Sequence, residues 1–227
     1  MTSWYFLKAV DVKTNGKNAS AIAVLGDSIT DGEGSTLNAN KRWPDVLAAR
    51  LQASMKTRSL SVLNLGIDGN RVSHDAGGSN ALSRFDRDVL SQDGVKYLVI
   101  LEGVNDIGHA TDSVTVNAVT QSDELIWDFT QLVERAHASG IKVIVATLTP
   151  FGGSKYSSFR AEQMRQTLNT WIRTGGVVDR VIDFEKAIQD PANPTGLLQK
   201  YENGDHLHPN DTGYKAMGDS IRLSIFK

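Results

Sequence analysis

The sequence contains no cysteine, so disulfides, thiolate metal sites and cysteine nucleophiles are all excluded, and the chain carries no mark of its redox compartment. Proline is scarce, with five in 227 residues, and no Pro/Ser-rich linker, low-complexity tract or internal repeat divides the stretch from Asn18 to the C-terminus. Long runs of one charge sign are also missing. The 24 basic and 26 acidic residues give a formal net charge of -2, which offers no electrostatic footprint for nucleic acid or an anionic membrane. No apolar run approaches the roughly 20 residues that span a bilayer, and the N-terminus lacks a basic start followed by an apolar stretch, so a soluble chain is expected. What remains is a chain with 40% hydrophobic residues, enough to bury a full core in one large domain.

Five short apolar runs read as buried strands: Ala21 to Gly26, Ser61 to Gly66, Lys96 to Gly103, Lys142 to Leu148 and Arg180 to Phe184. Between them lie segments with helical spacing, Trp43 to Ala53, Val114 to Ser139 and Ser158 to Arg173, and a last one runs from Asn210 to Ile225. Strands that do not alternate internally and are separated by helices imply parallel pairing, right-handed crossovers and helices on both faces of one sheet. Gly140 supplies a left-handed helix stop, and Pro44 and Pro209 sit near helix starts, where a missing N–H matters little. The domain is expected over residues 18–227. Residues 1–17 read as an N-terminal extension, with Ser3 to Val12 strand-like but without a place in a βαβ unit.

In a parallel α/β sheet, ligands bind beyond the carboxyl ends of the strands. The first strand ends in Gly26-Asp27-Ser28-Ile29-Thr30-Asp31-Gly32, which makes Ser28 either a nucleophile or a cap for the next helix. The second ends in Asn64-Leu65-Gly66-Ile67-Asp68-Gly69-Asn70 and the third in Glu102-Gly103-Val104-Asn105-Asp106. The Gly66 backbone N–H and the Asn105 side-chain amide could serve an oxyanion, or could simply belong to a tight turn and an Asx turn. Near the C-terminus, Asp205-His206-Leu207-His208-Pro209 crowds a carboxylate and two imidazoles into one loop. A serine alcohol needs an imidazole to take its proton and an acid to orient that imidazole, and His208 and Asp205 fit those roles. The alternative takes His206 and His208 as an H-x-H metal pair, for which no completing ligand is clearly placed elsewhere.

Taken together and in order, these pieces resemble the SGNH hydrolases, the GDSL esterase and lipase family, over Ala21 to Ser224. Gly26-Asp27-Ser28-Ile29 is similar to the family's first block, with isoleucine for leucine. Gly66 stands for the second block, Gly103-Val104-Asn105-Asp106 for the third and Asp205-His206-Leu207-His208 for the fifth. The resemblance implies a three-layer flavodoxin-like sheet of order 2-1-3-4-5. It implies Ser28 as nucleophile, His208 as base and acid, Asp205 as orienting carboxylate, an oxyanion hole from Ser28, Gly66 and Asn105, and no metal or organic cofactor. It also likens the first ten residues to the tail of a β-rich module that precedes this domain in some secreted relatives.

The expected activity is hydrolysis of a carboxylic ester through an acyl-serine, with short acyl groups on carbohydrates or simple alcohols as the favoured substrate. Long-chain lipase or lysophospholipase activity is the alternative, and a non-catalytic α/β ligand-binding module is the competing class. Against the latter, the first turn has neither G-x-x-x-x-G-K-[ST] nor G-x-G-x-x-G. Glu102, His109 and Trp43, with Phe151 and Tyr156, are candidates to line the substrate pocket, where core or helix packing is the other reading of the aromatics.

Overall fold

The computed structural model describes residues 10–13, 19–110 and 118–227. Its centre is a five-stranded parallel sheet, made of β1 (Ser20–Gly26), β2 (Leu60–Gly66), β3 (Val95–Leu101), β4 (Lys142–Ala146) and β5 (Arg180–Ile182) in the order β2-β1-β3-β4-β5. The expected topology is therefore the observed one. The central strands are buried on both faces, with Ile22 to Leu25 and Leu98 to Ile100 fully inaccessible, which is why they read as unbroken apolar runs.

Helices cover both faces. On one side α2 (Trp43–Ala53) packs against α8 (Asp211–Ser220), which also meets α7 (Phe184–Ile188). On the other, α5 (Ala118–Ala138) packs against α6 (Phe159–Thr174), and α3 (Ala81–Phe85) and α4 (Val104–Ala110) pack against α5. Pro44 stands in the first turn of α2, and Gly140 takes φ 74° just beyond α5, as their residue types require. Helix α8 is shorter than its apolar spacing suggested, because the chain turns extended at Ile221 and closes in a 3-10 turn over Leu223–Phe226. Four-residue α1 (Ser28–Asp31) follows β1 directly.

A two-stranded antiparallel hairpin of β6 (Gln189–Asp190) and β7 (Asn193–Leu197) stands apart from the main sheet between α7 and the C-terminal loop. Most of Ser3 to Val12, and the start of the expected helix at Val114, lie outside the described residues. Residues 10–13 are exposed and carry no regular secondary structure. No helix among the described residues is long and apolar enough to cross a membrane.

Candidate active site

The carboxyl ends of β1, β2 and β3 converge on Ser28. Gly26 must be glycine, since a Cβ there would lie 2.2 Å from Thr30 Oγ1 and 2.8 Å from the Leu101 carbonyl. Asp27 then caps α1, its carboxylate accepting from the Ile29 N–H at 2.9 Å. Ser28 is consequently the first helical residue, 3% exposed, and its own backbone N–H has no partner among the described residues.

The loop before α8 meets this turn from across the chain. Ser28 Oγ lies 2.9 Å from His208 Nε2, and His208 Nδ1 lies 2.6 Å from Asp205 Oδ2. Asp205 Oδ1 also accepts from the backbone N–H groups of Leu207 and His208, both at 2.8 Å, so one carboxylate fixes loop and ring together. The tight turn sends His206 to φ 61°. Partial burial pushes the Asp205 carboxyl up, but the bonds from the His208 N–H, the His208 ring and the Leu207 N–H outweigh it and hold the group below its ordinary range. An ionised carboxylate can only accept, so Nδ1 carries the proton in that contact, and Nε2 is the ring nitrogen left to face the serine hydroxyl. The arrangement can pass a proton from the serine oxygen to the imidazole. The H-x-H pair is split: His206 Nδ1 faces Glu202 at 2.9 Å, while both ring nitrogens of His208 are engaged as above.

Asn105 sits in the first turn of α4 and is 4% exposed. Its Nδ2 donates to the Asn70 carbonyl at 2.9 Å, and its Oδ1 accepts from the Tyr156 hydroxyl at 3.0 Å. A carbonyl cannot donate, so the amide orientation is fixed, and the second Nδ2 hydrogen remains. Asn70 is itself fully buried and held by Arg84 Nε at 3.0 Å and by a bond from its Nδ2 to the Ser79 carbonyl. Arg84 also donates to the carbonyls of Leu65 and Gly26, tying together the ends of β1 and β2. Neither Asn70 nor Arg84 stood out in the sequence. Asn70 lay within the segment after β2, whereas nothing local marked Arg84.

Four expectations are corrected. The Gly66 N–H donates to Asn64 Oδ1 at 2.9 Å, and a Cβ at Gly66 would lie 2.3 Å from the Asp31 nitrogen. Gly66 is thus glycine because α1 packs on it, and its N–H is committed. Gly69, three residues on, takes φ 70°, precedes the Asn70 carbonyl that anchors Asn105, and has an N–H without a partner among the described residues. Trp43 is wholly buried, edge-on to Phe184 at 5.1 Å, and so is a core residue, as is Phe151. Glu102 is also buried rather than lining a pocket. Its nearest cation is Arg84 Nη2 at 3.6 Å, and neither carboxylate oxygen has a hydrogen-bond partner among the described residues. Burial, aided by Asp27 and Asp106, pushes its carboxyl well above the ordinary range despite Arg84, because a contact at that distance without a hydrogen bond does not offset lost solvation. Asp27 is likewise pushed up to about 7, chiefly by burial. His109 is exposed, its ring 6.1 Å from that of Tyr156, and it remains available to a ligand.

The sequence profile of the GDSL-like Lipase/Acylhydrolase family matches residues 24–216. Among solved structures, a GDSL-like lipase from Bacteroides thetaiotaomicron aligns with a TM-score of 0.65 at 22% identity, covering 95% of this chain and 92% of that one. An acetyl xylan esterase aligns at 0.65 and 22% identity, over 88% of this chain and 96% of that one. A carbohydrate acetylesterase from Sinorhizobium meliloti aligns at 0.66 and 16% identity, over 89% and 96%. At these identities the likeness is one of fold. No curated protein matches the chain.

Proposed function

Because the chain belongs to the GDSL-like Lipase/Acylhydrolase family, we propose that this ester hydrolase works through an acyl-serine intermediate on Ser28, with short acyl groups on carbohydrates or simple alcohols as its substrates. The observation that carries the reading is the continuous contact from Ser28 Oγ through His208 to Asp205, at 2.9 and 2.6 Å. In this reading Ser28 Oγ attacks the ester carbonyl as its proton passes to His208 Nε2. The carbonyl oxygen becomes an oxyanion, and the bond to the leaving alcohol breaks as His208 returns the proton to it. Water then adds to the acyl-serine by the same route and releases the acid.

Asp205 keeps the imidazole in the tautomer that accepts at Nε2 and stabilises the imidazolium that forms. The oxyanion is assigned to the Ser28 N–H, the remaining Asn105 Nδ2 hydrogen and the Gly69 N–H, which takes the role expected of Gly66. All three are uncharged donors held before the reaction begins, so little reorganisation accompanies charge development. A short acyl group is favoured because two candidate aromatic pocket residues, Trp43 and Phe151, belong to the core. The test is hydrolysis of p-nitrophenyl esters, from acetate to a long-chain acyl group, by the intact chain and by Ser28→Ala in parallel. Activity highest on acetate and lost in the variant is expected. Equal rates in both proteins would overturn the serine mechanism, and a rise with chain length would overturn the short-acyl assignment.

A further inference from the structure

A cavity of about 440 Å³ opens between the loop after β4, the β6–β7 hairpin and the segment leading into the C-terminal loop. Its size falls within the roughly 300–1,000 Å³ of small-molecule sites. Two of its wall residues tie it to the reacting groups: His206 lies between Asp205 and His208, and Ser157 follows Tyr156, whose hydroxyl bonds Asn105. The cavity thus shares one wall with the loop that carries Asp205 and His208 and another with the segment that carries Tyr156.

The walls are unusual for a lipid site. Leu197 is the one wholly apolar side chain larger than alanine in them, so an extended hydrocarbon would gain little from entering. Its larger side chains are mostly carboxylates and amides, from Asp190, Asn193, Gln199 and Glu202. Several keep unused capacity. Asp190 Oδ1 accepts from the Ala192 N–H and Asn193 Oδ1 accepts from Thr195 Oγ1, while the Asn193 Nδ2 and the Gln199 amide have no protein partner among the described residues. Glycines let the walls approach each other closely: a Cβ at Gly152 would lie 2.7 Å from the Thr195 carbonyl, and one at Gly153 would lie 3.3 Å from His206 Cγ. A sugar hydroxyl both donates and accepts, so planar carboxylates and amides around an open polar space match a ring bearing several of them.

We propose that this cavity is the alcohol-side subsite of the enzyme and seats a polyhydroxylated leaving group, a sugar ring, with Asn193 and Gln199 setting its specificity. The inference rests on the serine-esterase reading above and adds where the alcohol binds and which side chains select it. The experiment compares kcat/KM on mono-O-acetylated cellobiose with kcat/KM on p-nitrophenyl acetate, for the intact chain, Ser28→Ala, Asn193→Ala, Gln199→Ala and the double variant. Both amide side chains are exposed, so their removal leaves the core untouched. Each single change is expected to lower the sugar-to-nitrophenyl ratio by about three- to tenfold, mostly through KM on the sugar ester, as for the loss of one hydrogen bond. The double variant should lower it further. An unchanged ratio in the double variant, or a wild-type chain that cleaves p-nitrophenyl acetate but not the sugar ester, would overturn the subsite while leaving the serine reading intact. Retained activity in Ser28→Ala would instead overturn the reading on which the subsite depends.

Discussion

Replacing Asp27 with asparagine should change the pH dependence of stability more than stability itself at low pH. Asp27 is 1% exposed, beside Glu102 and Asp106, and its carboxyl is pushed from 3.8 to about 7, chiefly by burial and then by Asp106 and Asp68, against the bond from the Ile29 N–H. The native state therefore holds a proton that the unfolded chain gives up near pH 4, and stability falls as pH rises from there through about 7. A shift of about three units at about 1.4 kcal/mol each sets an upper bound of about 4 kcal/mol above pH 7. Asparagine cannot ionise, yet it caps a helix as well as aspartate does, so α1 should keep its cap. Urea unfolding of both proteins across about pH 4.5 to 8 isolates the titration from any constant effect of the substitution. The stability of Asp27→Asn relative to the parent should climb with pH by as much as about 4 kcal/mol. A pH-independent offset would refute the reasoning, because it would mean that the native carboxyl ionises where the unfolded one does.

Other consequences follow from the same geometry. Asn105→Ala should lower turnover on p-nitrophenyl acetate by about a hundredfold or more with the fold intact by circular dichroism. Tyr156→Phe removes only the bond to Asn105 Oδ1, so its loss should be about three- to tenfold in kcat with little change in KM. His208→Ala should approach the loss seen with Ser28→Ala, whereas His206→Ala should fall well short of it, since relay members act as a unit; a reversed ranking in steady-state kinetics would reassign the base. Arg84→Met should destabilise the chain by about 3–5 kcal/mol in urea unfolding, as for a broken buried ion pair, because it strips the carbonyls of Gly26 and Leu65, Asn70 Oδ1 and the neighbouring carboxyls of a fully buried cation.

Much of the fold was legible because it rests on periodicity. Trp43–Ala53 matches the predicted helix at both ends, and all five sheet strands lie at their predicted apolar runs. Ser28, Asp205 and His208 were legible as well, since local turn chemistry brings acid and base together within four residues and the strand end exposes the serine. What escaped was of two kinds. The β6–β7 hairpin has too few residues and too many turn formers, as in Asp190-Pro191-Ala192-Asn193-Pro194, to show strand alternation. The packing roles of Gly66, Arg84 and Trp43 depend on partners far along the chain, such as Asp31 for Gly66, Gly26 for Arg84 and Phe184 for Trp43, which no local window contains. Gly66 and Gly69 lie in the same turn and look alike in sequence, yet only the former meets the backbone of α1 and only the latter is left-handed.

The most direct test of the serine mechanism is covalent labelling. Incubation with a fluorophosphonate followed by peptide mass spectrometry should place one phosphonyl adduct on Ser28, with parallel loss of p-nitrophenyl acetate hydrolysis and no adduct in His208→Ala on the same time scale. An enzyme that hydrolyses the ester but acquires the adduct on another residue, or acquires none, would contradict the assignment of Ser28 as the nucleophile.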